Sequence, residues 1–94
     1  TSYNHIEREL ILIKIYASQK HRSDIYNIVN TFRGNVVDIT PESMVIEITG
    51  DNDKLQAFVD LVRTYGIIEM IRSGSLAIGR GSKATTDMEK IKNK

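Results

Sequence analysis

Few side chains in this sequence are of the types that make or break bonds. There is no cysteine, which removes disulfides, thiolate metal ligands and a thiol nucleophile and fits a cytoplasmic chain. The two histidines, His5 and His21, fall in a polar leader (TSYNHIERE) and at the start of a helical segment. A metal site needs three or four converging donors, so both histidines read as surface residues. Asp51 and Asp53 open another helical segment, where N-capping and the positive end of the helix dipole account for them. A calcium loop would instead need about twelve residues ending in a bidentate acid. Gly79-Arg80-Gly81-Ser82, followed by Lys83, comes nearest to a phosphate loop. It lacks the G-x-x-x-x-G-K-S/T spacing that converges backbone N–H groups on phosphates. Ser73-Gly74-Ser75 offers no G-x-S-x-G nucleophile elbow. The sequence thus predicts no catalytic, cofactor-binding or metal-ligating residue.

The elements that would carry any site follow from periodicity. ELILIKIYA, residues 9–17, puts Ile11, Ile13, Ile15 and Ala17 on one face and Leu10, Leu12, Lys14 and Tyr16 on the other. Apolar residues on both faces predict a central strand. In HRSDIYNIVNTFR, residues 21–33, the period changes: Ile25, Ile28, Val29 and Phe32 form one helical stripe. Ser18 or Ser23 is the expected N-cap. Gly34 is the expected left-handed residue after the helix.

FRGNVVDITPESMVIEITGD, residues 32–51, holds the single proline. Val36, Val37 and Ile39 predict a short strand and residues 44–49 a longer one. Pro41, followed by Glu42, suits the second position of a type I turn, so the stretch reads as a hairpin with Gly34 and Gly50 as its ends. The segment 50–66 is a second helix, N-capped by Asp51 and closed by Gly66, with Leu55, Phe58, Val59 and Val62 as its stripe and Leu61 widening it. Residues 67–74 predict a fourth strand, and SLAI either continues it or pairs beside it.

The order β-α-β-β-α-β with right-handed crossovers predicts an α+β, ferredoxin-like sandwich. Its antiparallel sheet has four strands, the first and third central, and both helices on one face. The domain should occupy residues 9–79, after a polar leader or linker remnant (1–8) and before a basic tail (80–94). In the tail, Thr86–Glu89 matches a capping box that could start a short helix. Which residue parity faces the helices stays open. Either parity leaves an uncovered face mixing apolar residues with charges such as Lys14, Glu47, Glu69 or Arg72, and in so small a domain that face reads as a partner surface.

At 94 residues and net charge +1, the chain is a single domain without the basic excess of a nucleic-acid binder. An RNA-recognition sheet would show stacking aromatics on its central strands, and here those strands offer only Tyr16. No apolar run approaches the roughly 18–20 residues of a membrane span. Two functions compete: an interaction domain that offers its open face to a partner, and a small-molecule sensor that binds amino acids between paired sheets. With no acid–base pair or nucleophile, an enzyme comes third.

RELILIKI (8–15), IVNTFRGNVVDITPESMVIEITGDNDKLQAFVDLVRTYGIIEMIRSG (28–74) and LAIGRG (76–81) together resemble the C-terminal half of the small regulatory subunit of acetohydroxyacid synthase, also called acetolactate synthase. The resemblance implies a non-catalytic role in branched-chain amino-acid biosynthesis: activation of a large catalytic subunit and transmission of feedback inhibition. It implies no cofactor here, because thiamine diphosphate, magnesium and flavin belong to the catalytic subunit. It implies that subunit and a second copy of the chain as partners. The family's valine site lies in an N-terminal ACT domain, and no residue of TSYNHIERE matches its glycine-containing loop, so effector-binding residues are unknown. Arg33 and Arg72 are the charged residues that contact with a catalytic subunit would use, although a helix end and a strand end explain them equally.

Overall fold

The structure, a computed structural model, describes residues 5–82. Along the chain run β1 (His5–Tyr16), α1 (Arg22–Thr31), β2 (Asn35–Ile39), β3 (Ser43–Gly50), α2 (Asn52–Val62), β4 (Ile67–Arg72) and β5 (Leu76–Gly79). The main sheet has the order β2-β3-β1-β4 and all its pairings are antiparallel. This is the expected ferredoxin-like α+β arrangement, with the first and third strands central.

The pairing of Ile11, Ile13 and Ile15 with Ile48, Ile46 and Met44 settles the parity. These residues are buried together with Ala17, with Ile25 and Val29 of α1, and with Leu55, Phe58, Val59 and Val62 of α2. Each large apolar side chain so removed from water contributes about 1.5–3 kcal/mol before entropy is counted. Phe32 closes the core between the helices, its ring meeting Phe58 edge-on at 5.5 Å.

Several boundaries differ from expectation. β1 starts at His5, not Glu9, because His5–Arg8 pair with β5; pairing overrides the polar composition of this stretch. α1 is preceded by a 3-10 turn (Gln19–His21), and Ser18 makes no side-chain capping bond. The helix begins at Arg22 with His21 before it, so neither Ser18 nor Ser23 is its N-cap. Leu61 is exposed: at about 100° per residue it falls off the stripe set by Leu55, Phe58, Val59 and Val62.

The left-handed residue after α1 is Arg33 (φ 58°), not Gly34. Arg33 N–H donates to Asn30 C=O at 3.1 Å and Gly34 N–H to Val29 C=O at 2.9 Å, the two bonds of a Schellman ending. Gly34 is needed one position later for a different reason. A Cβ there would stand 3.1 Å from the Glu47 carbonyl oxygen of β3. The expected tail helix at Thr86–Glu89 lies outside the described residues. Among those that are described, no helix is long and apolar enough to cross a membrane.

Candidate functional site: the open face of the sheet

Both helices cover the odd-numbered face of β1. The even-numbered face is open and carries Leu10, Leu12, Lys14 and Tyr16 from β1, with Val45 and Glu47 from β3. β4 adds Ile71 opposite Leu12 and Glu69 opposite Lys14. Leu12, Val45 and Ile71 line an apolar groove of about 140 Å³ bordered by Lys14 and Glu69. Lys14 Nζ lies 3.3 Å from Glu69 Oε1, a cross-strand pair that is partly solvated and therefore contributes little net stability. Arg72 is opposite Ile11 and so lies on the helix side, not among the open-face charges.

β1 extends this face beyond the helices. β3 pairs with Glu9–Tyr16 only, and His5–Arg8 continue as a two-stranded ribbon with β5 in the register Ile6↔Ile78 and Arg8↔Leu76. β4 and β5 follow one edge of β1, interrupted at Ser73-Gly74-Ser75. There Ser73 N–H donates to Leu10 C=O, and Leu10 N–H donates to the Ser73 hydroxyl, both at 2.9 Å. The side chain thus replaces a ladder carbonyl and keeps the edge paired through the break. Ile6, Leu76 and Ile78 share the open side with Leu12 and Ile71, and all five are exposed.

The opposite end is tied by backbone acceptors. Arg22 Nε donates to Ala17 C=O at 2.9 Å, and its Nη2 donates to Thr40 C=O. Ser43 N–H donates to the Thr40 hydroxyl at 3.0 Å. Pro41 and Glu42 form the exposed connection between these two residues. Asp51 accepts the Lys54 N–H at 2.9 Å on Oδ1 and caps α2. Gly50 is buried beside it, and a Cβ there would meet the Lys54 side chain at 2.5 Å. Gly66 ends a 3-10 turn (Arg63–Tyr65) at φ 101°. A Cβ on Gly66 would come within 2.9 Å of Tyr16 Cδ2, so the Tyr16 ring covers Gly66 at the end of the open face. Gly34, Pro41, Gly50, Asp51 and Gly66 therefore shape turns and ends and do not converge on one site.

A second cleft, about 350 Å³, lies between the ribbon and the start of α2, lined by His5, Glu7, Arg8, Asp51, Asp53 and Arg80 among others. It is polar and mixed in charge. His21, the other histidine, packs against Tyr65 with ring centroids 5.3 Å apart. Among the described residues no group of three or more His, Cys, Asp or Glu is placed to hold a metal ion. Sequence reasoning missed the ribbon. Its signal was the alternation Leu76-Ala77-Ile78 facing Ile6-Glu7-Arg8, short enough to pass for the end of a strand.

Comparison with known proteins bears on what this face serves. Residues 8–81 match the family model described as the small subunit of acetolactate synthase. A probable acetolactate synthase small subunit from Archaeoglobus fulgidus is 47% identical over 78 residues, 83% of this chain and 49% of that protein. The acetolactate synthase small subunit of Bacillus subtilis is 36% identical over 90 residues, 96% of this chain and 52% of its own length. The crystal structure of the Thermotoga maritima acetolactate synthase small subunit superposes with a TM-score of 0.80 at 34% identity, over 87% of this chain and 50% of that one. The chain spans about half the length of the relatives it matches. With the ferredoxin-like sheet already in view, these matches assign the chain to the acetolactate synthase small-subunit family, as its C-terminal domain.

Proposed function

We propose that this domain serves a regulatory subunit of acetolactate synthase in branched-chain amino-acid biosynthesis, in the cytoplasm. It supports self-association and the activation or feedback regulation of the large catalytic subunit. The observation that carries this reading is the open sheet face: an apolar groove with a charged border, continuous with an exposed apolar ribbon. A surface of that composition suits protein contact, and the family names the enzyme it belongs to. Regulation then requires the domain to bind one conformation of the catalytic subunit better than another, because only differential affinity shifts an equilibrium. The coupling between effector and partner is reciprocal.

Reconstitution tests the reading. The purified chain is mixed with acetolactate synthase catalytic subunit, followed by co-elution and by acetolactate formation, beside a full-length small subunit as control. Co-elution with a change in activity is expected. Neither, with a working control, overturns it. Calorimetry with valine, leucine and isoleucine runs in parallel; saturable binding to this chain alone would favour an amino-acid sensor instead.

A further inference from the structure

Ile6, Leu76 and Ile78 stand on the side of the ribbon that faces away from the helices, with Leu76 72% and Ile78 62% exposed. Arg8, paired with Leu76, is the one charge on that side. A two-stranded ribbon is at best marginally stable alone in water. This one is held at its root: Ser73 bonds to both backbone groups of Leu10, and Glu9 holds Arg72 and the Gly74 N–H. The size of the patch decides what can cover it. The four residue pairs of the ribbon, at about 3.3 Å per residue on strands about 4.8 Å apart, present a footprint of about 130 Å². That is several times smaller than the about 800 Å² each partner buries in a standard stable interface. So small a contact persists where a short tether holds its partner at a local concentration in the millimolar range.

The relatives supply such a tether. They are about twice as long as their match to this chain, and this domain is their C-terminal one. Their other half therefore joins at the His5 end of β1, next to Ile6. We propose that the apolar side of the ribbon is the seat of the N-terminal half of the small subunit, which packs across Ile6, Leu76 and Ile78. β1 then links two contacts. It runs unbroken from His5 to Tyr16, so the strand that carries the seat also carries Leu12 and Lys14 of the groove, about 20 Å further on. A displacement at the seat reaches the groove along one continuous strand, kept in line by the Glu9–Arg72 bridge. The inference goes beyond the proposed function: it rests on the family assignment and not on what the groove meets.

Hydrogen exchange followed by mass spectrometry reads the contact. This chain is compared with a chimera in which its residues 5–82 replace the matched half of the Archaeoglobus fulgidus protein. Backbone amides of Leu76–Gly79 should exchange about tenfold more slowly, or slower still, in the chimera. Leu76→Asp/Ile78→Asp should abolish that gain, because the contact would have to desolvate two unpaired charges. Leu76→Thr/Ile78→Thr keeps strand-forming residues and should also abolish it, so the result does not depend on melting the ribbon. Leu61→Asp, exposed on α2, should leave the gain unchanged, and circular dichroism checks that each protein is folded. The full-length Bacillus subtilis small subunit, with the same threonine changes at the positions aligned with Leu76 and Ile78, gives a comparison that needs no chimera: there the changes should speed exchange of the aligned strand. Equal exchange in the chain and the folded chimera overturns the proposal, as does protection that survives both ribbon variants. No catalytic subunit is present in these measurements, so either result leaves the regulatory reading to the reconstitution.

Discussion

Glu9 and Arg72 meet through both carboxylate oxygens, Arg72 Nη2 donating to Oε1 at 3.0 Å and Nε donating to Oε2 at 3.3 Å. Gly74 N–H donates to the same carboxylate at 3.2 Å. One acid thus fastens the end of β4 and the break before β5 to the central strand, and a two-pronged geometry holds its partner in a fixed plane. The hydrogen bond from Arg72 is the main reason the Glu9 carboxyl lies below the usual carboxylate range, with desolvation pulling the other way.

Acid should therefore loosen this corner. A carboxylate whose pKa is lowered by folding adds stability that is fully present above its unfolded pKa and is lost as pH falls through the lowered folded value. Thermal melts by circular dichroism across that window should show the unaltered chain losing stability on acidification more steeply than Glu9→Gln. Equal slopes would mean that the bridge contributes nothing.

Arg33→Gly should stabilise the domain by about 0.5–1 kcal/mol, because the left-handed backbone at this position strains any residue with a Cβ. Gly34→Ala should destabilise it by about 1–3 kcal/mol, since the new methyl group is driven against the β3 backbone. Urea denaturation of the two variants checks the pair. Destabilisation by Arg33→Gly would mean that Gly34, and not its predecessor, takes the left-handed position that ends the helix.

Gly66→Ala should cost about 1–3 kcal/mol from backbone strain alone, and more because its methyl group meets the Tyr16 ring. Removing that ring relieves only the second part. In a double-mutant cycle, Tyr16→Ala combined with Gly66→Ala should therefore cost less than the sum of the single changes. Strict additivity in equilibrium unfolding would place Tyr16 away from Gly66.

Most of the fold was legible because its signals are local. The alternation from Ile11 to Ile15 and the stripe Leu55-Phe58-Val59-Val62 name their elements within a few residues, and element order with right-handed crossovers does the rest. What stayed hidden depends on neighbours distant in sequence. No periodicity says that polar His5–Arg8 will be strand, since their partner lies at Leu76–Gly79. Arg72 reads as a solvated strand end until Glu9 is beside it. Gly34 was legible as a position needing glycine, but the reason lies across the hairpin at Glu47, and the sequence suggested a backbone angle instead. The open face was foreseeable as a mixture of apolar and charged residues. Its parity and its extension along the ribbon were not.

The central position of β1 also governs how the domain assembles. The first strand of this domain forms the middle of its sheet, yet the bond from Leu10 N–H to Ser73 closes a separation of 63 residues. Helices α1 and α2 and the β2–β3 hairpin form from near neighbours in the chain, whereas the β1–β4 and β1–β5 ladders must wait for the last strands to emerge. Long-range closure of this kind slows folding. During synthesis β1 therefore gains its β3 partner first, and its other edge is occupied last.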